Sequence, residues 1–97
     1  MRVVTPKRLT EFSKKHPISK TPLLHWYEIT RKANWKNLGD IKKDFRTVDY
    51  VGNNRYVFDV KGNDYRIVVI IIFTAQKVYI RFIGTHNEYD QINAKTI

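Results

Sequence analysis

The spacing of apolar positions changes once along this chain. In the first half they recur at three- and four-residue intervals, the spacing of a helix face; from Asn54 onward they alternate, the spacing of a strand. Arg2–Val4 is a short β-branched run that reads as a strand. Thr5-Pro6 then reads as a helix start, with Thr5 as cap and Pro6 in the first turn, where its missing N–H is not needed. Leu9, Phe12 and His16 follow near helical spacing. That helix is expected to stop at His16-Pro17, because the residue before proline is driven out of the α region. A second Thr-Pro start, Thr21-Pro22, opens a broader apolar face of Leu23, Leu24, Trp26, Tyr27, Ile29 and Ala33, with Asn34 as a stop. Gly39-Asp40 is expected to cap a short third turn, Ile41–Phe45.

In the second half, Arg55–Val60 alternates and Gly62-Asn63 is a two-residue hairpin signal. Ile67–Phe73 is a continuous apolar run, suited to a central strand buried on both faces. Lys77–Ile83 alternates again, Gly84 breaks the pattern, and Glu88–Ala94 is expected to form a short helix. The expected fold is α+β. Strands 55–60, 65–73 and 77–83 form an antiparallel meander, the N-terminal strand joins at an edge, and two N-terminal helices pack on one face. No repeat, low-complexity stretch or linker interrupts the chain, so residues 1–97 are expected to be one domain.

The hairpin fixes a register. With Gly62 and Asn63 in the loop, Lys61 pairs with Asp64, Asp59 with Arg66, and Val57 with Val68; opposed residues share a face. Tyr56, Phe58, Val60, Tyr65, Ile67 and Val69 take the helix-packed side. Arg66 therefore points away from the helices, beside Asp59. One reading is a cross-strand ion pair of ~0.2–1 kcal/mol. The other is a cation placed to hold a phosphate, since a guanidinium offers a rigid fork of donors and keeps its charge. The local pattern leaves both open. Arg81 lies mid-strand between Ile80 and Phe82, and its face depends on the register of the preceding turn.

Charge narrows the partners. The 97 residues carry 18 Lys and Arg against nine Asp and Glu, a net of +9. Residues 1–48 hold twelve basic and four acidic side chains, a net of +8, and residues 49–97 hold six and five, a net of +1. A basic half on a small domain points to a polyanion, most often nucleic acid. Lys14, Lys15, Arg31, Lys32, Lys36, Lys42, Lys43 and Arg46 are candidate backbone contacts, although each alone is ordinary solvated surface. Trp26 is expected in the core; Trp35 is either a lid over it or an exposed stacking platform.

Other chemistry is excluded by what is missing. There is no cysteine, so there is no disulfide, thiol nucleophile or cysteine zinc site. His16, His25 and His86 do not fall at metal-ligand spacing, and no cofactor or metal is expected. Ser13 and Ser19 lie outside any Gly-x-Ser-x-Gly setting, and the glycines form no phosphate loop. The longest apolar run is far too short for a membrane span, no secretory signal opens the chain, and the cytosol is the expected location. Gly84–Asp90 ends a strand and starts a turn or helix with Thr85 or Asn87 as cap. His86, Tyr89 and Asp90 could share a site there, His86 being able to give or take a proton.

Tyr56–Val60, Gly62–Val68, Lys77–Arg81 and the closing Thr85-His86-Asn87-Glu88-Tyr89-Asp90 together resemble the HigB-type toxins of the RelE-like superfamily. The likeness spans nearly the whole chain and is weakest over residues 30–50. It implies a ribosome-dependent mRNA endonuclease that cuts in the ribosomal A site. It also implies neutralisation by a helix-turn-helix antitoxin of the HigA type, with DNA bound only through that complex. The implied reaction is attack of a ribose 2′-OH on the adjacent phosphorus. That needs a base, a cation for the phosphorane and an acid for the leaving 5′-oxygen, without a metal. On this resemblance Arg66 stabilises the phosphorane, His86 is general base or acid, and Tyr89 stacks or donates. Arg81, Lys36, Lys42, Lys43 and Lys61 are the RNA-contacting candidates. Two other classes fit the composition: a basic nucleic-acid-binding module without catalysis, and an interaction protein for an acidic partner.

Overall fold

A computed structural model describes all 97 residues. The elements run β1 (Arg2–Val4), α1 (Lys7–Lys15), a 3₁₀ turn (Pro17–Ser19), α2 (Lys20–Lys32), α3 (Leu38–Asp44), β2 (Asp49–Gly52), β3 (Arg55–Val60), β4 (Tyr65–Ile72), β5 (Lys77–Thr85) and α4 (His86–Tyr89). One five-stranded sheet has the order β1-β5-β4-β3-β2. The apolar run of β4 is central, as its burial on both faces requires. The meander is antiparallel, and β1 joins at the edge in parallel with β5. The α+β expectation holds, with a fifth strand added.

The hairpin register is the expected one. Val57 opposes Val68 and Asp59 opposes Arg66. The turn is closed by the Asp64 amide donating to the Lys61 carbonyl at 3.2 Å, and Gly62 adopts φ +64°, which glycine accepts without cost. The helix-side core joins Leu9, Leu23, Trp26 and Ile41 to Tyr56, Phe58, Val60, Ile67, Val69, Val78 and Ile80. Trp35 is a buried lid, not a stacking platform. It is 2% exposed, and its indole N–H donates to Asp44 Oδ2 at 2.8 Å.

Several boundaries differ for identifiable reasons. Thr5 does not cap α1. It sits at φ +66°, Pro6 takes the cap position, and no side chain caps the helix. Helix α2 begins at Lys20 because the 3₁₀ turn runs directly into it; Pro22 then falls in the first turn, where its missing N–H costs nothing. Helix α3 is capped by Asn37, whose side chain accepts from the Asp40 amide, and it starts earlier than Gly39-Asp40 suggests. It makes a third helix on the covered face. Helix α4 is shorter and earlier than 88–94 because a capping box closes on it: Thr85 accepts from the Glu88 amide and the Glu88 carboxylate accepts from the Thr85 amide.

The other face of the sheet carries no helix layer. Val57 and Val68 are buried there. The chain after α4 runs back along this face. Asn53 donates to the Lys95 carbonyl, and Arg55 Nε and Nη2 donate to the Ile97 oxygen at 3.0 and 2.8 Å. No helix is long and apolar enough to cross a membrane.

Candidate functional site

The site grows from one row across the sheet. Asp59 on β3 opposes Arg66 on β4, and Arg66 opposes Gly84 on β5. All three face away from the main helix layer. Arg66 Nε lies 2.8 Å from Asp59 Oδ1, with the two side chains only 18% and 22% exposed. The contact is a charge pair and not an aligned hydrogen bond, because Nε finds no acceptor at suitable geometry. Partial burial leaves this pair less screened by salt than a surface bridge. The guanidinium is held further by Tyr89, whose ring centroid is 5.1 Å from Cζ, a cation–π distance. Asn63 Oδ1 accepts from Arg66 Nη2 at 3.4 Å.

Gly84 provides space. A Cβ built there would lie 2.4 Å from the Phe82 ring, so the ring occupies room that any other residue would take. One residue on, the Thr85 cap turns the chain and delivers His86. The His86 amide donates to the Asp64 carbonyl at 3.1 Å, tying the start of α4 to the hairpin loop. His86 Nδ1 then stands 3.2 Å from Arg66 Nη2. A guanidinium can only donate, so Nδ1 must be the acceptor and the ring proton belongs on Nε2. Nε2 points to Asp90 Oδ2 at 3.5 Å. The imidazole is thus flanked by a cation and a carboxylate.

Burial raises the Tyr89 phenol above its ordinary value. Arg66 pulls the other way, and Asp49, Asp59 and Asp90 add to the rise. The hydroxyl therefore stays protonated at neutral pH.

The structure gathers Arg66, His86 and Tyr89, with Asp90 behind His86. It does not bring the candidate lysines to them. Lys36, Lys42 and Lys43 belong to α3 and its approach, which packs on the helix side through Ile41; Lys43 reaches only Asp40, at 4.0 Å. Lys61 sits on the hairpin and pairs with Asp64 at 2.8 Å. Arg81 occupies a β-bulge: Val68 pairs with Phe82 and Val69 with Ile80, leaving Arg81 unpaired. Its side chain is exposed, and Nε lies 3.4 Å from the Ile97 oxygen. The sequence did not mark Asn63 beyond its turn role, nor His16. His16 stacks on Phe12, with ring centroids 4.4 Å apart, near the same end of the sheet. No three His, Asp or Glu side chains cluster as metal ligands would.

A helix-covered, mainly antiparallel five-stranded sheet is consistent with a RelE-like fold. The chain belongs to the HigB toxin family, the RelE-like toxic component of a toxin–antitoxin system, whose model matches residues 19–92. It is 36% identical over 97 residues to the mRNA interferase toxin HigB of Escherichia coli (strain K12), covering 97% of this chain and 92% of that protein. It is 24% identical over 94 residues to an mRNA interferase HigB of Escherichia coli O6:H1, covering 95% and 91%. Membership in a toxin–antitoxin system implies an antitoxin partner.

Proposed function

We propose that this protein is a ribosome-dependent mRNA endonuclease that cuts in the ribosomal A site. The reading rests above all on the contact between Arg66 and His86, braced by Asp59, Tyr89 and Asp90. In the free protein Arg66 occupies the lone pair of His86 Nδ1. A phosphodiester entering the site takes the guanidinium donors for its oxygens, which are better acceptors because they are charged. That frees Nδ1 to remove the proton of the ribose 2′-OH. The 2′-oxygen bonds to phosphorus, and Arg66 holds the added negative charge of the phosphorane. The bond to the 5′-oxygen breaks and that oxygen takes a proton from the Tyr89 hydroxyl. The products are a 2′,3′-cyclic phosphate and a 5′-hydroxyl end. Asp90 keeps the imidazole oriented and stabilises the imidazolium once it forms.

The antitoxin in this reading is a helix-turn-helix protein of the HigA type, and DNA is bound only through the complex. The site of action is the cytoplasm, where ribosomes and mRNA meet. Residues 1–97 act as one toxin domain. Arg81, Lys36, Lys42, Lys43 and Lys61 serve as dispersed contacts to RNA phosphates outside the reacting cluster, acting through charge alone.

The test is a cleavage assay on bacterial ribosomes programmed with a defined A-site codon, with ends mapped by primer extension. Cuts within the codon that are absent on naked RNA support the reading. Intact mRNA on active ribosomes would overturn it.

A further inference from the structure

Beside the reacting cluster lies a second concavity, about 410 Å³, lined by His16, Asn63, Asp64, Tyr65, Thr85, His86 and Asn87. It shares His86 with the site described above, and Asn63 also touches Arg66 there; the other lining residues have no part in that chemistry. Three elements build it: the end of α1, the β3–β4 hairpin, and the junction of β5 with α4. The hydrogen bond from the His86 amide to the Asp64 carbonyl fixes two of these to each other.

One wall is aromatic. His16 is stacked on Phe12 at 4.4 Å and 23°, and both rings meet Tyr65 edge-on, at 5.9 Å and 5.6 Å. These contacts fix the plane of the imidazole, which lines the cavity. Two amides also line it. Asn87 makes no side-chain hydrogen bond, and Asn63 uses only Oδ1, toward Arg66, so its NH₂ group is free. Asp64 is already neutralised by Lys61 at 2.8 Å. An aromatic plane sharing a cavity with amide donors and acceptors is the chemistry that receives an unstacked nucleobase: the plane stacks on its π-face and the amides read its edge.

We propose that this cavity receives the nucleobase adjoining the scissile phosphate, with His16 as its stacking platform and Asn63 and Asn87 as readers of its edge. The inference rests on the nuclease reading and deepens it: the cavity sets which codons are cut. Shared walls give the geometry its point. A base seated against His86 places its own ribose and phosphate beside Arg66.

The experiment is the programmed-ribosome assay run over codons that differ at one base, with wild type, His16→Ala and Asn87→Ala. Circular dichroism serves as the folding control, and Asn87 lies on the surface without a partner, so its variant keeps the fold. The expected result is a spread of rates among codons in wild type that narrows roughly tenfold in the variants, the scale of one lost stacking or edge contact. A companion measurement places 2-aminopurine at each codon position of a 2′-O-methyl mRNA, which cannot be cut. Its fluorescence should change on toxin binding at one position, and lose that change with His16→Ala. Wild type that cuts with the same codon spread as both variants, and no 2-aminopurine change that depends on His16, would overturn the cavity's role alone. Wild type that cuts no codon overturns the nuclease reading and this inference with it.

Discussion

His86 accepts from Arg66 through Nδ1 at 3.2 Å while its Nε2 lies 3.5 Å from Asp90. A guanidinium has no lone pair to offer, so in this contact Nδ1 is the acceptor and the ring proton sits on Nε2. His86→Ala should lower ribosomal cleavage by ~10²–10⁴, the usual worth of a positioned proton-transfer group. His86→Gln should be equally impaired, because an amide accepts a hydrogen bond but takes no proton. Growth arrest and single-turnover rates measure both; a fully toxic, folded His86→Ala would remove the base from the mechanism.

Arg66→Ala should cost ~10²–10³ in single-turnover rate, as the loss of a preorganised charge on the phosphorane. Arg66→Lys should recover little of it. An ammonium keeps the charge and the pair with Asp59, but it has no planar fork to hold Asp59, His86 and a phosphate together. Equal rates for Arg66→Lys and wild type would show that charge alone suffices.

Gly84→Ala tests the space in the row. Its Cβ would fall 2.4 Å from the Phe82 ring and 3.1 Å from Glu88 Oε1. The ring and the capping carboxylate must then give way, at about 1–3 kcal/mol by analogy with other overpacked sites. The denaturation midpoint should fall, and cleavage should fall further than stability explains, because His86 hangs on that cap.

Thr85→Ala separates the cap from the chemistry. Losing the hydroxyl that accepts from the Glu88 amide should destabilise α4 by about 1 kcal/mol. Thr85→Ser retains the bond and should keep wild-type cleavage. Hydrogen exchange at the Glu88 amide reads the difference directly.

Alkaline titration probes the buried phenol of Tyr56 and the half-buried one of Tyr89. Burial raises both Tyr56 and Tyr89 above the ordinary tyrosine value of 10.0. An acid raised in the fold favours its neutral form there. Its contribution to stability is whole below pH 10 and is lost as pH climbs through the folded-state value. The denaturant midpoint should therefore decline above pH 10. Tyr89→Phe should lessen that decline and remove ultraviolet absorbance change from the same range.

The hairpin was the most legible part of the sequence. Gly62-Asn63 fixed the partner of every residue from Val57 to Val68, and with it the face of Arg66, because side-chain direction follows register alone. Trp26 was legible from helix spacing for the same kind of reason. Strand β2 was not: Asp49–Gly52 is too short to alternate visibly, and its only sign was the left-handed turn at Gly52, Asn53 and Asn54. Arg81 was not legible either, since a bulge interrupts the two-residue period by which any strand residue is placed. At the site, Arg66, His86 and Tyr89 could be named from the chain, but the tautomer, the proximity of His16 and the room left by Gly84 required three elements to meet.

The bulge at Arg81 has a genetic consequence. Excising that one codon would join Ile80 directly to Phe82 and restore regular pairing along β5, because Val69 already opposes Ile80 and Val68 already opposes Phe82. Gly84 would still stand across from Arg66 on the same surface. The same loss within β3, whose pairing with β4 holds no spare residue, would turn every side chain beyond it to the opposite face. The gene can therefore shed a codon at the bulge far more safely than one in β3.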